Sequence, residues 1–173
     1  MDTFLALLAL ASLLGAAVVI AVIVAPSLRG WLPDIGAVAV PLATLVAVAA
    51  TVGSLYLSEA RDFVPCEFCW YQRIAMYPLG VVLAVAAIRR RHDVIFTALP
   101  LATVGAGLSI YHYQLQLFPE QGSSCSAVTP CTGKWVEEFG FVTIPFMALA
   151  GFVFVGALVV ADHISARGAL EQT

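Results

Sequence analysis

The chain has 173 residues, 61% of them hydrophobic and 11% charged, with 8 basic against 11 acidic side chains and a net charge of -3. Soluble domains are about 45–50% apolar and carry about twice this share of charge, so there is too little charge here to coat a soluble globule. The acidic balance, broken by a single basic run at Arg89-Arg90-Arg91, also excludes a nucleic-acid-binding surface.

The charges are clustered, and between them lie five uncharged blocks at 3–28, 35–58, 74–88, 94–119 and 139–161. Four of these exceed the ~20 residues with which a helix crosses the bilayer core, and their Leu/Ala/Val-rich composition does not alternate as a barrel strand would. The expected fold is all-α: a polytopic membrane four-helix bundle with an additional N-terminal transmembrane helix. The first block opens on Met1-Asp2 with no basic segment, and its apolar run is far longer than that of a cleaved signal, so it reads as a retained span. The third block would cover only about 22 Å at 1.5 Å per residue. Its helix must therefore begin earlier, near Cys69, which supplies Trp70 and Tyr71 as interfacial aromatics and draws Arg73 about one turn below the surface. Pro41, Pro78, Pro100 and Pro145 place one proline in each of the last four spans. The organisation read from these blocks is an N-terminal span and connector at 1–34, a four-helix membrane unit at 35–165 and a short tail at 166–173. No internal repeat or second domain is visible.

Alternation of spans puts Arg29, Arg89, Arg90, Arg91 and Arg167 on one side and Arg61, Lys134 and Arg73 on the other. The bias makes the first side cytoplasmic. All four cysteines then lie in loops on the extracytoplasmic side of a prokaryotic plasma membrane, away from the reducing pool.

Cys66-Glu67-Phe68-Cys69 is a C-x-x-C at the mouth of a predicted helix. A thiol there feels the positive end of the backbone dipole, and Arg73, four residues on from Cys69, shares its face of the helix. The second pair, Cys125 and Cys131, is spaced C-x5-C in a loop of small residues flanked by Gly122, Pro130 and Gly133. Such a loop suits a disulfide offered to another protein and makes a weak staple, because the closed ring is short. Three readings stand open on these residues: a four-cysteine zinc site, two structural disulfides, and a two-stage thiol relay. The relay is best served by one pair facing water and one at the membrane boundary, and it assigns no metal. With no dinucleotide fingerprint, P-loop or C-x-x-C-H in the chain, its electron acceptor has to be membrane-soluble, and a quinone fits.

Tyr111-His112-Tyr113-Gln114 falls near the outer end of the fourth span, placing His112 at a depth similar to that of Arg73. A quinone head group between these two side chains is the functional expectation, against a packing histidine between interfacial tyrosines. Gln72, Tyr77 and Gln116 are within reach of such a pocket by spacing. Trp135 with Glu137 and Glu138 reads as an interfacial anchor before the fifth span.

The string Val64-Pro65-Cys66-Glu67-Phe68-Cys69-Trp70-Tyr71-Gln72-Arg73-Ile74 resembles the disulfide bond formation protein B family, in particular its BdbC-like branch. Gly53-Ser54-Leu55-Tyr56, Met76-Tyr77-Pro78, Ile110-Tyr111-His112-Tyr113, Pro130-Cys131-Thr132-Gly133 and Ile144-Pro145-Phe146 extend the similarity over about residues 40–161. The resemblance implies a four-helix bundle that reoxidises a soluble thioredoxin-fold thiol oxidase, DsbA-like or BdbD-like, and hands the electrons to ubiquinone or menaquinone. By position it makes Cys125 and Cys131 the pair that meets the partner, and Cys66 and Cys69 the pair beside the quinone. Cys69 would be the thiolate at the quinone ring, Arg73 the quinone-site arginine and His112 a quinone-pocket histidine. The chain departs from the pattern in its first block and in the close spacing of its second pair. A vitamin K epoxide reductase-like enzyme is the alternative quinone-coupled bundle, but there the loop pair precedes the C-x-x-C.

Overall fold

In hydrocarbon every backbone N–H and C=O must be paired within its own segment, so each uncharged block closes into a helix. The computed structural model describes residues 1–121, 125 and 129–171. It contains α1 (Asp2–Val24), α2 (Leu32–Leu55), α3 (Glu67–Arg89), α4 (Ile95–Leu117) and α5 (Ile144–Glu171), all five long and apolar enough to cross a membrane. The expected all-helical membrane bundle with one helix beyond four is the observed fold. A 3-10 turn at Pro26–Trp31 joins α1 to α2, and α2 runs on into a single π turn at Tyr56–Ala60. Helix α3 begins with Cys66 as its N-cap, slightly earlier than the span length required, and ends at Arg90 in the left-handed conformation. The stretch read as a tail continues α5 to Glu171. Gly122, Ser126, Ala127 and Val128 of the second cysteine loop, and the last two residues, lie outside the described residues.

Pro41, Pro78 and Pro100 sit inside α2, α3 and α4. Pro145 instead occupies the second position of α5, where no intrahelical donor is lost. Before α5 the chain makes a small hairpin, β1 (Glu137–Glu138) antiparallel to β2 (Val142–Thr143), with Glu137 opposite Thr143. Phe139 and Gly140 turn it with φ of 54° and 77°. This hairpin was not foreseen.

Helices α2, α3, α4 and α5 form a ring in which each packs on the next and α5 closes back on α2; α1 lies outside the ring against α5. Small residues allow these approaches. Ala39, Ala43 and Ala47 present a fully buried stripe on α2, and a Cβ on Gly105 of α4 would stand 2.3 Å from the ring of Phe152 on α5. Without a hydrophobic drive between helices in lipid, such close packing is what holds the bundle. Gly105→Ala is accordingly expected to destabilise the α4–α5 contact by about 1–3 kcal/mol, read as a lowered Tm in detergent. An unchanged Tm would show that Phe152 gives way freely. The outward faces are the reverse of a soluble protein: Leu14, Val24, Leu45, Val81, Ile88, Phe96 and Val104 are all exposed.

One end of the bundle gathers the N-terminus of α1, the α2–α3 connector and the segment leading into α5, and it carries all four cysteines. There Asp2 pairs with Arg61 at 3.0 Å, and Thr3 donates to Glu138 at 3.1 Å. At the opposite end are Arg89, Arg90 and an Arg91–Asp93 ion pair, with His92 Nδ1 2.9 Å from the buried Asp162.

Candidate thiol relay site

The C-x-x-C is positioned by the start of α3. Trp70 N–H donates to the carbonyl of Cys66 at 3.1 Å, and this first turn brings the two free thiols to an Sγ–Sγ separation of 3.0 Å. Cys66 is buried and Cys69 is half-buried. The Cys66 thiol is lowered to about 4, first by its hydrogen bond with Cys69 and then by His112, against burial that pushes it up. Cys125 and Cys131 are joined to each other in a disulfide. Two of the four sulfurs are thus bonded to each other, and the other two are free thiols.

Cys131 is fully buried and shares one apolar cluster with Cys66 and Leu115, against which Phe68, Cys69 and Cys125 pack. The two pairs thus meet inside the protein, and Cys125 is the partly exposed member of the loop pair. Between them stands His112, 2% exposed, with Nε2 3.1 Å from the carbonyl oxygen of Cys131 and 3.6 Å from Cys66 Sγ. A chain of hydrogen bonds fixes its tautomer. Ser109 Oγ donates to the Gly105 carbonyl at 2.8 Å, so its oxygen accepts from Gln72 Nε2 at 3.2 Å. The same amide nitrogen faces His112 Nδ1 at 3.5 Å, which makes Nδ1 the acceptor and leaves the proton on Nε2. That proton points at Cys131 and Cys66.

Arg73 takes the other side of α3. Its Nε donates to Ser54 Oγ at 2.9 Å and a terminal nitrogen to the Ser54 carbonyl at 3.0 Å, while the guanidinium lies 5.1 Å over the ring of Trp70. It is tied to α2 rather than extended to the surface alone. Arg73, Cys69 and Gln72 line a cavity of about 380 Å³ with Ser54 and Ser58 beside them and apolar walls elsewhere. Tyr77 reaches Ser54 Oγ at 3.5 Å, and Gln116 donates to the Gly133 carbonyl at 3.0 Å, away from the cavity.

His112 was expected beside Arg73 under a shared ligand, and the structure separates them. Helix α3 lies between α2 and α4, so Arg73 meets α2 and His112 approaches from α4; His112 is not among the residues lining the cavity. Gln72 touches both sides, lining the cavity and bonding to the histidine network. Ser54 and Ser109 were missed as site residues. Each shares its span with threonines, Thr44 and Thr51 on α2 and Thr97 and Thr103 on α4, so a hydroxyl in an apolar helix did not single it out. Trp135 stacks on Phe63 at 5.4 Å and lines the cavity, so the expected anchor also covers the site. Cys66, Cys69 and His112 together place three ligand atoms within 4.8 Å of one another, a metal-compatible cluster among the described residues. With the Nε2 proton committed to Cys131, the ring would have to give up that bond to coordinate.

The sequence profile of the family described as "Disulfide bond formation protein DsbB" matches residues 37–162. This chain belongs to the DsbB family. Among curated relatives it is similar to "Probable disulfide formation protein C 1" of Bacillus cereus, at 48% identity over 61% of this chain and 78% of the relative. It is 46% identical to "Disulfide bond formation protein C" of Bacillus subtilis over 64% of this chain and 82% of the relative. It is 35% identical to "Probable disulfide formation protein C 2" of Bacillus anthracis over 72% and 90%. No solved structure matches the chain. As a DsbB-family member the chain is a multi-pass membrane protein of disulfide formation with a thiol oxidoreductase role. Helix α1 lies wholly outside the stretch that the DsbB profile matches.

Proposed function

We propose that the protein reoxidises a soluble thioredoxin-fold thiol oxidase outside the cytoplasm and passes the electrons through its two cysteine pairs to a membrane quinone. The observation that carries this reading is the burial of Cys131 against Cys66, with Cys69 on the wall of an apolar cavity. One pair is within reach of water-borne thiols, the other of lipid, and the two touch.

The cavity fits a quinone by its chemistry: the Arg73 guanidinium at one end as a hydrogen-bond donor to a ring oxygen, and mostly hydrocarbon elsewhere for a tail. When bound, the quinone accepts two electrons and two protons. The chain's own share is thiol–disulfide exchange. The partner's dithiol reduces Cys125–Cys131, beginning at the more accessible Cys125, and leaves as a disulfide. The Cys131 thiolate attacks Cys66 of an oxidised Cys66–Cys69 pair, forming a Cys131–Cys66 bridge and releasing Cys69 as a thiolate. Cys125 then attacks Cys131, restoring the loop disulfide and releasing Cys66, which His112 Nε2–H is placed to stabilise.

The arginine bias supports an extracytoplasmic cysteine end. The test is turnover by the purified full chain in detergent with a reduced thioredoxin-fold dithiol protein and a quinone, followed by quinone absorbance under anaerobic conditions. Dithiol-dependent quinone loss is expected. Arg73→Ala should raise the KM for quinone about tenfold or more while the loop pair still oxidises one equivalent of partner. Partner oxidation without quinone loss would overturn the proposal.

A further inference from the structure

The cavity that holds Cys69 and Arg73 is not built from the DsbB-matching helices alone. Leu5, Leu8 and Ser12 of α1 line it together with Leu42 and Leu45 of α2 and Phe154 of α5. Helix α1 packs along α5 and meets α2 far less. The cavity is bounded by α1, α2, α3 and α5. Its polar lining is concentrated towards the cysteine end, at Ser54, Ser58, Cys69, Gln72 and Arg73. From Leu42 on α2 to Ser58 in the π turn that continues it, the wall rises about 24 Å along the helix. Leu8 and Leu45 are both lining residues and both substantially exposed, at 41% and 64%, so the cavity opens sideways onto the surface that lipid covers. Three contacts fix α1 in place at the cysteine end: Asp2 to Arg61, Thr3 to Glu138, and Leu5, whose side chain would meet a Cβ on Gly53 of α2 at 3.2 Å.

We propose that α1 is the wall of a binding channel for the isoprenoid chain of the acceptor, so that Leu8 and Ser12 set affinity for long-tailed quinones without touching the head group. The inference rests on the quinone reading above. A narrow apolar slot about as deep as half a bilayer or more, polar at one end and open to lipid along its side, matches a molecule with a small polar ring and a long hydrocarbon tail. A lipid acyl chain would share the apolar walls but would leave the Arg73 guanidinium without a ring oxygen to bind.

The experiment is equilibrium binding to the purified full chain, read by quenching of tryptophan fluorescence, since Trp135 lines the cavity. Two probes are compared, a quinone bearing a long isoprenoid chain and the same ring without a tail. Ser12→Phe, which fills the channel, should weaken the long-tailed probe roughly tenfold or more, the scale on which apolar pockets discriminate methylene groups, and leave the tailless probe unchanged. Leu8→Ala, which trims the wall and adds no bulk, should likewise alter only the long-tailed probe. If both variants bind both probes as the wild type does, or lose both equally, α1 is not the tail wall. If the wild type binds neither probe, the quinone reading itself fails.

Discussion

Replacing Cys69 by serine is expected to abolish quinone-linked turnover, by at least about 1000-fold, while the bundle still folds. A hydroxyl cannot close a disulfide with Cys66, so the loop pair loses the acceptor for its two electrons. The side chain is half-buried and serine is the smaller group, so little packing is lost. The variant should also carry a signature. With Cys69 gone, Cys66 remains as a thiol beside the buried Cys131, and its attack on the loop disulfide yields a Cys66–Cys131 bridge with Cys125 free. Non-reducing peptide mapping would detect it. Retained turnover would remove Cys69 from the relay, and a bridge to Cys125 would reverse the order in which the loop cysteines act.

His112→Phe is expected to slow transfer between the two pairs by about 10- to 100-fold, the worth of a hydrogen bond to a charged sulfur, while leaving the KM for quinone nearly unchanged. Phenylalanine preserves the ring packing against Phe68, whose centroid lies 5.7 Å away, but it leaves the Cys131 carbonyl and the Gln72 amide without their partner. His112→Gln, whose amide can still donate to that carbonyl, should recover part of the rate. Single-turnover oxidation of the reduced loop pair measures the step directly. The opposite pattern, a raised KM with exchange intact, would restore the histidine to the quinone pocket where the sequence alone placed it.

The spans were legible because a membrane helix announces itself by what it lacks. Charges at Asp2, Arg29, Asp34, Glu59, Arg89, Asp93, Glu120 and Glu138 fall close to helix ends. The early start of α3 followed from length alone. Other features carry no such signal. The hairpin pairs two residues with two, too few for an alternating pattern. The extension of α5 past Asp162 uses charged residues as ordinary helix formers, so the polar sequence there does not mark the helix end. The cysteines were legible as chemistry because C-x-x-C is a spacing with a mechanism. The placement of His112 was not, because depth along a span is readable while the neighbour each face meets depends on the ring order of the helices. For the same reason Ser54, which holds Arg73, and the contribution of α1 to the cavity appear only once the helices are arranged.

The ring has an asymmetry that bears on how the molecule is made. Helix α5 is the element on which α1, α2 and α4 all pack, yet it follows them in the chain and leaves the ribosome after them. The earlier helices enter the bilayer with only the α2–α3 and α3–α4 contacts of the ring available to them, and the ring closes when the last arrives, a case of insertion first and assembly second. Chain synthesis interrupted before residue 144 would leave membrane-inserted segments with neither a closed ring nor a cavity, and quality control would meet those segments as unassembled helices.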